Sequence, residues 1–531
     1  MRKLFIALSA ALATSAAAVP PLPESPLAAG PPRLLIVLSV DQLSADLFDE
    51  YRPQFTGGLA RMARGAAFRN GYQGHAATET CPGHSGILTG TFPATNGIVS
   101  NQWYDLATAR QDKAIYCAED ESAPGSTSTR YLVSPVHLKA PTLGDLLKAR
   151  SPRSLNVAVA GKDRAAVMMG GQRVDQRWYF TGRGFSTDIK AAKVPQSVVA
   201  ANATVAAALA KPQPGLEPPP ACVAKAQPIV LSNGRTVGNG RFERAAGDDA
   251  DFRASPEYDG AVLALGAALI GELKLGEDKA PDILSLGLSA TDYVGHRYGP
   301  GGQEMCLQLL SLDRDLGDFF RLLDRSGVDY AVALTADHGI LDIPERLKLR
   351  GIPQAERVDR RLAAGQVGKQ VGLKLNLAGP VLFGGTYGDV YIDRALSRTE
   401  RARVREEAMA IYRADPQVEA VFSADQLKRT PLPTTTPDRW TLIERARASF
   451  DPARSGDFVV LLRRYITSIS TPGDAIAMHG SVWDYDRRVP ILFWRPSMPE
   501  SPNDQPISVA DIMPTLAAML ALPVDSGKLD G

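Results

Sequence analysis

The chain is short of several things, and each shortage excludes something. Its 59 lysine and arginine side chains are balanced by 58 acidic ones, a formal charge of +1. No surplus charge is available to hold a polyanion, so nucleic acid is not expected as an obligate partner. The four cysteines include no Cys-x-x-Cys pair, which argues against a thiolate zinc site. Past the N-terminus no apolar run is long enough to span a bilayer, and no membrane segment is expected in the mature chain. There is no internal repeat. Histidine is scarce as well, with six among 531 residues, so the places where it falls carry information.

The N-terminus is the first positive feature. Arg2 and Lys3 precede the apolar run Leu4–Leu8, and small residues follow as far as Ala16-Ala17-Ala18. A charged start, a short apolar stretch and an A-x-A pattern describe a secretory signal peptide over residues 1–18. Residues 19–32 are rich in proline and small side chains and are expected to form a flexible leader. The destination is then the periplasm or the cell exterior, where disulfides persist. Four cysteines allow three pairings. Cys81–Cys117 with Cys222–Cys306 closes the shorter loops and is the expected arrangement.

Leu34–Val40 is an unbroken apolar run, and others recur at Asn156–Ala160, Asp282–Leu288, Tyr330–Thr335 and Val489–Trp494. Runs without alternation suit strands buried on both faces of a parallel sheet. Helical patterns lie between them, clearest from Glu304 to Arg325, where Met305, Leu309, Leu312, Leu316, Phe319 and Leu323 recur at helical spacing. The expected fold is α/β: a doubly wound, mostly parallel sheet flanked by helices, in one catalytic domain over residues 33–531. Two cap-like insertions interrupt it, near residues 171–255 and 344–454. The second holds the apolar runs Val371–Leu377 and Asp389–Ile392 and the helical Glu400–Tyr412.

Acidic and histidine residues gather where these strands end. Asp41 follows the first strand, Asp292 and His296 follow Asp282–Leu288, and Asp337-His338 follows Tyr330–Thr335. Ligands of open α/β sheets bind outside the carboxyl ends of strands, so these groups can share one crevice. His479, ahead of Val489–Trp494, can reach the same end. Each alone reads more simply as a turn or capping residue. Together, three aspartates and three histidines form an oxygen/nitrogen donor set suited to zinc. Divided between two ions about 4 Å apart, with a shared nucleophile oxygen, they would complete a two-metal site.

A hydroxyl nucleophile can come from Thr78-Glu79-Thr80-Cys81-Pro82-Gly83-His84-Ser85, where Pro82-Gly83 sits at an apolar helix start. Helix N-termini favour anions. On composition alone Thr78, Thr80, Ser85 and Thr89 all compete for this role.

The run from Thr80-Cys81-Pro82-Gly83-His84 through Thr89-Gly90, Pro93, Gly97-Ile98 and Asn101 resembles the nucleophile segment of the alkaline phosphatase superfamily. Its branch is the one shared by nucleotide pyrophosphatase/phosphodiesterases and threonine-nucleophile bacterial alkaline phosphatases, the PafA/PhoK type. The resemblance extends to Asp511-Ile512-Met513-Pro514-Thr515-Leu516. It implies Thr80 as nucleophile, one zinc ion on Asp292, His296 and His479, and a second on Asp41, Asp337, His338 and the Thr80 oxygen. It further implies Asn101 as a phosphoryl-oxygen contact. Lys162 and Arg164, in the turn after Asn156–Ala160, match the Lys-x-Arg pair by which the phosphatase branch holds a monoester. Without the resemblance, the two cations would read as a solvated loop pair.

The expected activity is therefore hydrolysis of small-molecule phosphate monoesters by two zinc ions and a phosphothreonine intermediate, in a monomer. Structural calcium on acidic loops is an additional possibility. A nucleotide pyrophosphatase/phosphodiesterase with the same metals is the main rival, and a non-catalytic phosphate-binding protein the remote one.

Overall fold

A computed structural model describes residues 30–190, 193–496 and 498–531. The expected signal peptide and most of the leader lie outside the described residues.

A ten-stranded mixed sheet runs through the molecule. Its middle is parallel: Leu34–Val40 lies between Asp282–Leu288 and Tyr330–Thr335, and Asn156–Ala160 and Gln176–Thr181 extend it on one side. Every residue of the three central strands is buried, which is why their sequences lack a polar face. Because Leu34 is in register with both Asp282 and Tyr330, the three strands end level with one another. The chain segments that leave them, starting at Asp41, Ser289 and Ala336, emerge side by side.

Arg488–Trp494 joins antiparallel to Tyr330–Thr335, so the sheet is mixed beyond that point. On its other side it pairs with Ala66–Tyr72, with a register shift between Val489 and Ile491. The shift falls on Pro490, which has no N–H to give to the ladder.

Helices cover the sheet. The expected helix at Glu304–Arg325 spans Gln303–Ser326, and all six of its predicted apolar positions are buried. Its buried Asp313 carboxylate accepts backbone N–H bonds from Thr56, Gly57, Leu59 and Ala60, fixing the short helix Gly58–Met62 against it. A separate four-stranded sheet, Leu382–Gly384, Gly388–Ile392, Phe458–Leu462 and Val418–Ser423, has its own apolar core. The apolar run at Val371–Leu377 belongs mostly to the helix Ala364–Leu375, which packs on that core. Disulfides join Cys81 to Cys117 and Cys222 to Cys306, as expected. Among the described residues no helix is long and apolar enough to cross a membrane.

Candidate metal and phosphoryl site

Asp41 begins the turn after its strand, held by its N–H to Leu288 O at 2.9 Å. Asp292 sits in the first turn of the helix Ala290–Tyr298, and His296 lies one turn on. Asp337 and His338 occupy the turn after Tyr330–Thr335, and His479 arrives from the loop before Arg488–Trp494. The result is two groups, Asp292/His296/His479 and Asp41/Asp337/His338, each with one donor atom per residue within 4.8 Å of the others. The groups adjoin, for the rings of His338 and His479 stack with centroids 3.6 Å apart.

The histidine tautomers follow from their partners. His296 Nδ1 faces Ala477 O at 2.9 Å, His338 Nδ1 faces Gly339 O at 3.0 Å, and His479 Nδ1 faces Thr78 O at 2.7 Å. A carbonyl only accepts, so each Nδ1 carries the proton and each Nε2 keeps its lone pair. Those Nε2 atoms point at carboxylates: His296 to Asp292 Oδ1 at 3.1 Å, His479 to the same oxygen at 3.5 Å, and His338 to Asp337 Oδ2 at 3.3 Å. In the second group His338 Nε2 and Asp337 Oδ2 are buried without a hydrogen-bond partner. Buried polar atoms are seldom left so. Outward lone pairs on three histidines, facing Asp292, Asp337 and, 3.5 Å from His338 Nε2, Asp41 Oδ1, make a donor set that fits divalent cations and zinc in particular.

Burial and the nearby Asp292 and Asp337 push the Asp41 carboxyl well above its usual range. Burial acts the same way on Asp292 and Asp337, yet both are held well below it. His296 and Lys162 outweigh burial at Asp292, as His338 and His84 do at Asp337. Burial also lowers the pKa of His338 and His479, which favours the neutral, ligating form.

Thr80 opens the helix Thr80–Thr89, and Glu79 precedes it in extended conformation. The four candidate hydroxyls separate by their partners. Thr78 donates to Ser481 O, Ser85 to Pro82 O and Thr89 to Ser85 O, at 2.7, 2.8 and 2.6 Å. Among the described residues Thr80 Oγ1 has no such carbonyl; Arg164 Nη2 lies 3.5 Å from it. A Cβ on Gly83 would come within 2.1 Å of Asp337 O, so only glycine lets this helix approach the Asp337 turn.

Lys162 is buried, not solvated, and its ammonium lies 2.5 Å from both Asp41 Oδ2 and Asp292 Oδ2, one carboxylate of each group. Burial works against its charge, but Asp292 and Asp41 outweigh burial and raise its pKa. Asn101 Oδ1 accepts from Cys81 N at 2.8 Å, which does not engage its NH₂ donors. Asn101 and Arg164 line a cavity of about 490 Å³ beside the start of the Thr80 helix.

The sequence did not mark several supporting residues. Gln42, at φ 73°, donates from its backbone to Asp337 Oδ1 at 3.0 Å and from Nε2 to Asp292 Oδ1 at 2.8 Å, tying the two groups together. His84 Nδ1 lies 3.1 Å from Asp337 Oδ2. Glu79 accepts from Asn101 N and Ser100 Oγ. Asp163 accepts from the hydroxyls of Tyr116 and Tyr131 and from Arg164 N, at 2.7, 2.8 and 2.7 Å. Asp259 takes the N–H of Ala290, at the start of the helix bearing Asp292. Gln42 adjoins Asp41, and that adjacency was its one available signal.

An α/β sheet whose strand ends carry two adjoining oxygen/nitrogen donor groups beside a helix-start hydroxyl has the form of a metal-dependent ester hydrolase. The type I phosphodiesterase/nucleotide pyrophosphatase family description matches residues 35–482. The chain is 49% identical over 510 residues to alkaline phosphatase PhoK of Sphingomonas sp, covering 95% of this chain and 91% of that protein. It is 44% identical over 504 residues to alkaline phosphatase PhoD of Zymomonas mobilis subsp. mobilis, covering 94% and 87%. The crystal structure of wild-type alkaline phosphatase PafA superposes with a TM-score of 0.80 at 25% identity, over 93% of this chain and 97% of that one. The chain belongs to the type I phosphodiesterase/nucleotide pyrophosphatase family, within the alkaline phosphatase superfamily. It is an enzyme of the alkaline phosphatase type, acts on phosphate esters and uses a metal cofactor.

Proposed function

We propose that the chain is a secreted, zinc-dependent phosphomonoesterase working through a phosphothreonine at Thr80, in a single catalytic domain. Asp292, His296 and His479 would hold one zinc ion; Asp41, Asp337, His338 and the Thr80 oxygen would hold the other. Bound zinc supplies Lewis acidity, lowering the Thr80 hydroxyl pKa and neutralising charge on the leaving oxygen. Thr80 Oγ1 forms a bond to phosphorus as the ester P–O bond breaks and the alcohol leaves. Water then attacks phosphorus from the opposite side, the Oγ1–P bond breaks, and phosphate departs. Arg164 and Asn101, beside the nucleophile, bind non-bridging oxygens throughout. Lys162, beside carboxylates that would hold both ions, would bind a third oxygen. Neutral histidines and a deprotonated nucleophile favour alkaline pH.

One observation carries the monoester reading over the diesterase that the family description also names. Lys162 is enclosed against one carboxylate of each donor group and Arg164 lies beside the Thr80 hydroxyl, so two cations border the proposed phosphoryl site. A diester has one fewer anionic oxygen to give them. Lys162→Ala is expected to lower kcat/KM on an aryl phosphate monoester about 100-fold, and on the matching diester far less. An unchanged monoester rate would refute the reading. The two disulfides suit an oxidising compartment, in keeping with export to the periplasm or beyond.

A further inference from the structure

On the reading above, a leaving group would project into the cavity of about 490 Å³ lined by Asn101, Arg164 and Glu79, the neighbour of Thr80, and the cavity walls have a definite chemistry. Tyr104, Tyr116, Tyr387 and Tyr391 contribute rings to the lining. Three of their hydroxyls are already spent: Tyr116 donates to Asp163, Tyr387 to His479 O and Tyr391 to Arg454 O. These tyrosines therefore offer the cavity π faces more than hydrogen bonds, and Tyr104 packs on Tyr391 with centroids 5.5 Å apart. Among the described residues the only basic side chain in the lining is Arg164, which the phosphoryl group claims. The remaining charged groups are both carboxylates, Glu79 from the catalytic domain and Asp389 from the inserted sheet. Glu79 is half committed, with Oε2 taking Asn101 N and Ser100 Oγ.

Resting on the phosphomonoesterase reading above, we propose that this cavity selects phosphate monoesters of amino alcohols, whose ammonium group is received by Asp389 among the tyrosine rings. Aromatic faces with carboxylates are the surroundings that bind an organic cation. The same walls repel leaving groups that carry a carboxylate or a second phosphate. Burial pushes the Asp389 carboxyl up to about 7 despite hydrogen bonds from the Gly456 backbone and the Ser455 side chain, and the neighbouring charge of Glu79 acts in the same direction as burial. In the alkaline range Asp389 is ionised while a primary ammonium keeps its proton. The reaction is ordinary hydrolysis: the P–O bond to the amino alcohol breaks, water's oxygen ends on phosphate, and the alcohol leaves with a proton.

The test compares kcat/KM for O-phosphoethanolamine, its uncharged isostere propyl phosphate and the anionic phosphoglycolate, on the zinc-loaded enzyme. The ammonium substrate is expected to lead propyl phosphate by about tenfold, the worth of one charge-assisted contact, with phosphoglycolate last. Asp389→Asn is expected to bring the first ratio close to one. Turnover of propyl phosphate with no advantage for the ammonium substrate overturns the inference and leaves the phosphomonoesterase reading intact. An advantage that survives Asp389→Asn refutes the role of Asp389. If no monoester turns over, the underlying reading fails and this one with it. Should the variant fold poorly, the wild-type ratio still decides.

Discussion

The two donor groups differ in how far solvent reaches them. Asp41, Asp337 and His338 have fully enclosed side chains, whereas His296 in the other group is 20% exposed. Both groups are braced, in part by the same residues. Gln42 N donates to Asp337, Gly83 lets the Thr80 helix press against it, and Lys162 reaches Asp41. In the open group Gln42 Nε2 and Lys162 reach Asp292, while His296 and His479 are each tied to a single carbonyl. We read the enclosed group as the fixed platform for the nucleophile and the open one as the side where water and leaving group exchange.

The comparison breaks if the two groups respond alike to damage. Asp337→Asn removes a charge from the enclosed platform, and kcat/KM should fall about 10³-fold, the rate equivalent of several kcal/mol of metal-centred stabilisation. Added zinc should not restore it. His296→Ala opens a site that solvent already reaches, so a loss of about 10- to 100-fold, partly recovered by excess zinc, is expected. Metal analysis of both variants beside their rates decides; equal losses with equal rescue would erase the distinction.

Acid should strike from behind the enclosed group. His75 is buried there, and desolvation together with the charge of Arg487 brings its pKa down to about 3. His137, buried elsewhere against Trp103, is lowered to about 4. Both bind a proton more readily in the unfolded chain, so their contribution to stability is complete above about pH 6.5 and drains away as pH falls toward those values. By pH 5 each should cost about 2 kcal/mol. Thermal melts at pH 8, 6 and 5 should show this decline. His75→Gln should flatten it, and an unchanged slope would contradict the assignment.

The smallest effect belongs to the clamp on the Arg164 turn. Asp163→Ala releases Tyr116, Tyr131 and the Arg164 backbone together, and should cost monoester hydrolysis about tenfold. In an Arg164→Ala background the same change should cost almost nothing, because the clamp acts through Arg164. Full additivity of the two losses would show that it does not.

Much of the fold was legible because the central strands are buried on both faces and so advertise themselves as unbroken apolar runs. Ala66–Tyr72 was not. It carries Arg69 and Asn70, is only partly buried and lies toward one side of the sheet, so its apolar signal is weak. Val371 and its neighbours read as an apolar run but take helical form, where Val367, Val371 and Gly368 face the core of the inserted sheet. The aspartates and histidines of the two donor groups stood out because strand ends in such sheets converge. The residues that brace them did not, since Gln42 meets its partners 250 and 295 positions away. Contacts of that range depend on the folded chain and leave no local pattern.

Anomalous X-ray diffraction at the zinc edge, on crystals of the enzyme purified without chelator, tests the central claim most directly. Two peaks are expected, one among Asp292, His296 and His479, the other among Asp41, Asp337 and His338 with the Thr80 oxygen in contact. A single peak, or zinc bound away from these six side chains, would contradict the account.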